Sequence, residues 1–243
     1  MSMIQDIIRL PLGLLGVAAN HFDGLDSVHK FGAVPAMSQN QTGTIWDVND
    51  TEYPWSAFAS AGVLSVPAVN ASDNGKTITI IGLDASFFEI TEDVTVSSSG
   101  AVSTTKEFIR VYRAFVTDAS ETNVANINVN KGATTVLRIT AGKGQTLMAI
   151  YTIPDGYTGY MVKGTATCQD GADATGNMFI RYFGNSAFRV GHSFEVSGSG
   201  GQYLYEFGIP IRIPAKSDID VRASVRSNNA RVTAAFDLIL ERN

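Results

Sequence analysis

The sequence predicts an all-β protein, with one or two antiparallel β-sandwich or jelly-roll domains preceded by an extended N-terminal arm that carries a short helix. Short runs of residues alternate between apolar and polar along most of the chain, as strands with one buried face do. Clusters of Gly, Asn, Asp and Ser separate these runs. No helical pattern lies between the runs, which favours antiparallel pairing over βαβ units.

The composition narrows the classes of partner. The 243 residues are 44% hydrophobic and 17% charged, enough for a full core in one large domain or two smaller ones. The net charge of -5 argues against nucleic-acid binding, which needs a basic face. The single cysteine, Cys168, excludes an internal disulfide framework. No apolar run is as long as a transmembrane helix, so we expect neither nucleic acid nor membrane as a partner.

Residues 1–62 are predicted to form the docking arm. Its first part has apolar residues at helical spacing, namely Ile4, Ile7, Ile8 and Leu12, and Pro11 would end or kink such a helix. A secretory signal peptide is the alternative for the apolar run that follows, but Asp6 and Pro11 disfavour it. We expect this helix to insert into a neighbouring subunit.

The rest of the arm is rich in aromatic residues, including Phe31, Trp46, Tyr53 and Trp55. Because exposed aromatics on this scale are a liability, the arm must either wrap its own sheets or dock on a partner. Large aromatic side chains dominate protein interfaces. We therefore predict that these four residues, with the four apolar residues of the helix, are the interface anchors.

The remaining residues are predicted to form two β domains. The first spans residues 63–143, with strands at 63–69, 76–82, 88–96, 106–117, 125–129 and 134–140. The second, jelly-roll-like domain spans residues 144–243, with strands at 145–153, 158–168, 177–184, 187–196 and 202–213. Pro210 indicates that the last of these strands lies at a sheet edge or bends.

The chain ends in the clearest alternation of all. Ile219, Val221, Ala223 and Val225 alternate with the polar residues Asp220, Arg222, Ser224 and Arg226. The pattern restarts after a turn that contains Asn228 and Asn229, which tolerate the positive φ of a tight hairpin. The sequence therefore predicts a C-terminal hairpin with one buried and one solvated face.

The sequence offers little for catalysis. His21, His29 and His192 are too scattered for a metal-binding motif, and neither a nucleophile elbow nor a phosphate-binding loop is present. We expect no catalytic, cofactor-binding or metal site, and no enzyme activity. Tyr203, Tyr205 and Phe207 share one strand face, and could stack sugars or form a core or a subunit interface.

Several segments together resemble a group of β-rich virion structural proteins of tailed phages, of the marine podovirus type. The segments are His29-Lys30-Phe31-Gly32, Trp46-Asp47, Tyr53-Pro54-Trp55, Ile80-Ile81-Gly82-Leu83-Asp84, Phe108-Ile109-Arg110-Val111-Tyr112-Arg113-Ala114, Gly144-Gln145-Thr146, Tyr151-Thr152-Ile153-Pro154-Asp155-Gly156, Ile213-Pro214-Ala215-Lys216-Ser217-Asp218-Ile219 and Phe236-Asp237-Leu238. The chain departs from that group at 48–50, where the relatives tend to have glycines after Trp-Asp.

The resemblance implies a place in the virion, after assembly in the host cytoplasm, and no particular reaction. We expect a capsid cement or decoration protein that docks as a homo-oligomer on the major capsid lattice, with the major capsid protein or other virion proteins as its partners. Trimers would match the threefold positions of the lattice. The alternative is a tail or head fibre component that binds a host receptor or glycan. A third possibility, a depolymerase, would need two carboxylates that face each other across a groove.

Overall fold

The computed structural model describes residues 13–169, 171–198 and 201–243. Within these ranges the chain is all-β, with one short α-helix near its N-terminus. The elements are α1 Gly13–Ala18, β1 Leu25–Met37, β2 Thr42–Thr44, β3 Ser65–Val66, β4 Thr77–Leu83, β5 Glu89–Thr95, β6 Val102–Ser103, β7 Arg110–Val116, β8 Ile127–Lys131, β9 Thr134–Ile139, β10 Ile150–Thr152, β11 Tyr157–Cys168, β12 Ala174–Arg181, β13 Arg189–Val196, β14 Gln202–Ile213, β15 Asp218–Val225 and β16 Ala230–Arg242. Two 3-10 helices lie at Trp55–Phe58 and Ala71–Asp73.

These strands form four sheets. Sheet 1 has the order β1-β16-β11-β14, and sheet 2 has the order β10-β15-β12-β13 with β2 added to β15. Sheet 3 has the order β6-β3-β8-β9, and sheet 4 has the order β5-β4-β7. All pairs between these strands are antiparallel, as the sequence predicts. One continuous hydrophobic core takes side chains from all four sheets.

The two C-terminal strands lie where the sequence predicts them, but the predicted hairpin is wrong. Strand β15 pairs with β10, β12 and β2 in sheet 2, whereas β16 pairs with β1 and β11 in sheet 1. The turn between them, where Asn229 has a φ of 58°, therefore carries the chain from one sheet to another. Period-two alternation sets which face is buried, but it does not choose the partner strand.

The longest unpredicted strand is β1, which lies inside the predicted arm. It pairs with β16 from Leu25↔Glu241 to Met37↔Ala230. Three consecutive residues from Gly32 to Val34 are buried, so no alternation marks this strand. A Cβ at Gly32 would overlap backbone atoms of Ile45 and Ala149, so glycine is what allows this close approach.

Strand β14 confirms the expectation for Pro210. The strand lies at the edge of sheet 1. Its pairing with β11 runs from Gly159↔Ile213 to Met161↔Ile211, and resumes at Lys163↔Glu206. Residues 207–210 therefore bulge opposite a single residue of β11, and Pro210 lies in this bulge, where a missing N–H is tolerated.

Candidate functional site

The aromatic part of the arm folds back onto the chain's own sheets. Trp46, Tyr53 and Trp55 are only 2%, 3% and 8% exposed. The Tyr53 ring lies 5.1 Å from Trp46 and 4.9 Å from Trp55, both edge-on. These three residues therefore support the alternative in which the arm wraps the chain's own sheets. Since their own chain covers them, we no longer assign them as anchors on a partner.

The remaining predicted anchors are Phe31 and the four apolar residues of the predicted N-terminal helix. Phe31 lies on β1 and is half-buried, with its ring 5.7 Å from His29. The four apolar residues of the predicted N-terminal helix, Ile4, Ile7, Ile8 and Leu12, lie outside the described residues.

A buried carboxylate, Asp218, joins two sheets beneath the arm. It accepts from Arg110 Nε of sheet 4 at 2.7 Å and from Arg181 Nη2 of sheet 2 at 2.6 Å. Thr152 Oγ1 donates to the same carboxylate at 2.7 Å. The two guanidinium groups also lie over the ring of Trp55, at 5.7 Å and 5.2 Å from its centroid. Breaking such a buried pair leaves uncompensated charge, which is strongly destabilising.

The second buried carboxylate, Asp220, binds the arm itself. Trp55 Nε1 donates to Asp220 Oδ2 at 2.9 Å, and Thr44 Oγ1 donates to Oδ1 at 2.8 Å. Arg222 Nε lies 2.9 Å from Asp220 Oδ2. Burial raises the pKa of Asp220, while the charge of Arg222 and the hydrogen bonds act to lower it. The carboxylate thus fixes β2 and the Trp55 helix against β15.

These contacts correct the prediction for β15. The sequence predicts that Asp220 and Arg222 lie on a solvated face, yet both are buried. The reason is that the arm covers that face, through β2 and Trp55. Alternation of polar and apolar residues identifies two faces but cannot tell whether the polar face meets water or another charged layer. The sequence signal for this burial is that one strand carries two carboxylates, Asp218 and Asp220, together with Arg222.

A polar cavity of about 240 Å³ lies between β1 and sheet 4. Lys30 of β1 lines it, and its Nζ donates to the backbone carbonyl of Tyr112. The Tyr112 hydroxyl in turn donates to Glu89. Burial, with Arg113 nearby, lowers the pKa of Lys30 to about 7. Lysines with lowered pKa serve as nucleophiles or bases in some enzymes, but here the amine is engaged by a backbone carbonyl.

Lys30 should make stability depend on pH. Between pH 7 and 10.5 the unfolded chain binds a proton at Lys30 that the folded chain does not, so stability rises with pH, by up to about 1.4 kcal/mol per unit. We expect Lys30→Met to lose this slope and to unfold at higher urea concentration than the parent at pH 7.

Urea unfolding at intervals from pH 7 to 9.5 measures this effect. Toward the upper limit, the raised pKa values of Cys168 and Tyr112 act in the opposite direction, so the contribution of Lys30 is the difference between the slopes of the parent and of Lys30→Met. The matched control is Lys163→Met, since Lys163 is more exposed and pairs with Glu206; it should keep the parent slope. Identical slopes for the parent and Lys30→Met would contradict the burial of a neutral lysine.

The aromatic row of β14 packs against His192 of β13. The His192 ring lies 4.8 Å from Tyr205 and 5.0 Å from Phe207, and His192 Nε2 is hydrogen-bonded to the Tyr203 hydroxyl. Burial lowers the pKa of His192. The aromatic row therefore packs β14, at the edge of sheet 1, against β13, at the edge of sheet 2.

Within the ranges that the structure describes, no three His, Cys, Asp or Glu side chains are grouped so that they could hold a metal ion. In the same ranges, no helix has the length and apolar character that crossing a membrane requires.

Comparisons with known proteins find similarity among solved structures. A scan against protein-family models and a search of curated proteins both found no match. Among solved structures, a chain of the naturally occurring empty particles of cowpea mosaic virus, its top component, is similar at 6% identity and a TM-score of 0.22. The alignment covers 72% of this chain and 80% of that chain. A likeness at this level carries no argument about function.

Proposed function

We propose that this chain is a structural protein of a bacteriophage particle, a capsid cement protein that docks on the major capsid lattice through its N-terminal segment. The resemblance described above supports the phage assignment. The observation that carries the docking role is the exposure of two adjacent leucines of α1, Leu14 and Leu15.

Helix α1 carries both buried and exposed apolar residues. Val17 is buried in a small cluster with Leu25 and Ile239, which fixes the helix on sheet 1. Leu14 and Leu15 are not members of that cluster, and they are 54% and 64% exposed. Two adjacent leucines in solvent on an anchored helix suit a protein partner, since neighbouring exposed apolar residues mark interaction sites.

A lattice would make such a small contact effective. One helix buries too little surface for a stable complex with a single subunit. A homo-oligomer that presents several copies of α1 to a repeating lattice gains avidity without any new type of contact. The same logic explains how a cement protein would bind the assembled shell and ignore free capsid subunits.

We also propose that sheets 1 and 2 pack face to face as a β-sandwich, with the chain crossing between them after β15. Support comes from the contact of Phe194 on β13 with Tyr203 on β14, whose rings lie 5.6 Å apart, and from the shared core.

A fibre component that binds a glycan is less well supported. Such a site needs aromatic rings open to solvent in a groove. Trp46 and Trp55 are buried, and Tyr203 is half-buried against His192 and Phe194. We therefore retain the cement role as the proposed function.

The test is binding to purified capsids of the encoding phage from which this chain has been stripped. We expect the double variant Leu14→Ser, Leu15→Ser to bind at least about 30-fold more weakly, the loss of about 2 kcal/mol that is typical of an interface hot spot. Quantitative cosedimentation measures it. Both leucines are exposed, so the urea midpoint should not fall.

The matched control is Val124→Ser, which removes an equally exposed apolar side chain from a loop of the body. It should bind like the parent. Unchanged binding of the double variant would reject α1 as the docking element. Absence of binding by the parent chain to stripped capsids would reject the cement role itself.

A further inference from the structure

The outer edge of β14 is the most exposed apolar feature of the described chain. Strand β14 pairs with β11 on one side, and no described strand pairs with its other side. At the bulge, Ile209 is 88% exposed, more than any other large hydrophobic residue in the described ranges. Leu204 and Tyr205 on the same strand are also exposed.

This exposure is unusual for an edge strand. Natural edge strands are protected by bulges, prolines and charged side chains. Strand β14 has the bulge and Pro210, but the bulge also carries the highly exposed Ile209. Burying an isoleucine side chain removes apolar surface from water, so covering Ile209 would stabilise a complex with a partner.

The charges around Ile209 indicate which partner fits. Glu206 lies three residues before Ile209, and Arg212 lies three residues after it. The Glu206 side chain is 76% exposed, with Lys163 Nζ at 3.9 Å, and Arg212 is exposed. A twofold axis at Ile209 that makes two β14 strands antiparallel places Glu206 of each copy on the same side of the axis as Arg212 of the other, with the bulge of each strand between them.

We propose that β14 is the contact surface for a second copy of this chain, arranged about a twofold axis at Ile209. The two isoleucines form its centre, and two Glu206–Arg212 pairs flank them. Self-complementarity of this kind is the property of an isologous interface, and opposite charges on facing strands stabilise the pairing. The inference rests on the homo-oligomer in the proposed function and deepens it. It replaces the expected trimer with a dimer, because a threefold contact is head-to-tail.

Charge reversal tests the contact in the purified full-length chain, without capsids, by sedimentation velocity over a concentration series. We expect the parent to form a dimer, and Ile209→Asp to be monomeric at concentrations where the parent is dimeric. Glu206→Arg and Arg212→Glu should each raise the dimer dissociation constant by about 10-fold or more, because each places like charges opposite one another.

The double variant Glu206→Arg, Arg212→Glu is the decisive measurement. It exchanges the two charges, so both pairs form again and the dissociation constant should return to within about 3-fold of the parent. Glu195→Arg, on the exposed edge strand β13, is the matched control and should leave the dimer unchanged.

Three results would overturn the inference: a monomeric parent, a trimeric parent, or a double variant as weak as the single ones. None of these depends on capsid binding. A chain that dimerises through β14 but does not bind stripped capsids would contradict the proposed function and leave the dimer contact standing.

Discussion

Replacing Asp218 with asparagine should lower the free energy of unfolding by about 3–5 kcal/mol, the range seen when one partner of a buried ion pair is removed. The substitution keeps the shape of the side chain and a hydrogen-bond acceptor for Thr152. It removes the charge that both Arg110 and Arg181 share. Two guanidinium groups would then remain in a poorly solvated site without a counter-charge.

Urea unfolding followed by far-UV circular dichroism measures this loss. Asp155→Asn is the matched control, because Asp155 pairs with Lys216 at 2.9 Å on the partly exposed surface. Such pairs contribute about 0–1 kcal/mol. A loss below about 1 kcal/mol for Asp218→Asn would mean that water reaches the two arginines, and would contradict the buried network that joins sheets 2 and 4.

Trp46→Ala should destabilise the chain by about 3–5 kcal/mol, the usual cost of deleting a large buried aromatic side chain. The Trp46 ring packs edge-on against Tyr53, and its Nε1 donates to the Thr51 carbonyl at 3.2 Å. The sequence alone suggests a different result: an intact fold and capsid binding weakened by about 2 kcal/mol, as for an interface anchor. Burial within the chain's own core is what changes the expectation.

The control for Trp46→Ala is Tyr53→Phe in the same cluster. The Tyr53 hydroxyl is buried and has no hydrogen-bond partner among the described residues. Removing an unsatisfied polar group costs nothing and can stabilise, so this variant should unfold at the parent's urea concentration or above it. A stable Trp46→Ala variant with normal unfolding but weak capsid binding would restore Trp46 as a partner anchor.

Local patterns were sufficient to place most strands. The strand predicted at 202–213 matches β14, and the strand predicted at 158–168 differs from β11 by one residue. Both follow from side-chain alternation and flanking turn residues, which depend on neighbours in sequence. The predicted strand at 145–153 is a strand only over Ile150–Thr152, because an apolar run can be buried without pairing along its length.

The candidate site was harder to predict because distant segments build it. Asp220 is buried only because Thr44 and Trp55 reach it from the arm, a contact across more than half of the chain. The same applies to β1, which is a strand because β16 offers a partner of equal length. Sequence alternation carries no information about either contact.

The cement role is tested most directly by the copy number of this chain in purified virions, measured by quantitative mass spectrometry against the major capsid protein. A protein that covers the lattice should approach one copy for every one to few capsid subunits, on the order of hundreds per particle. A few dozen copies or fewer would contradict lattice-wide binding. The chain would then belong to the tail or to a fibre, and receptor binding would become the leading function.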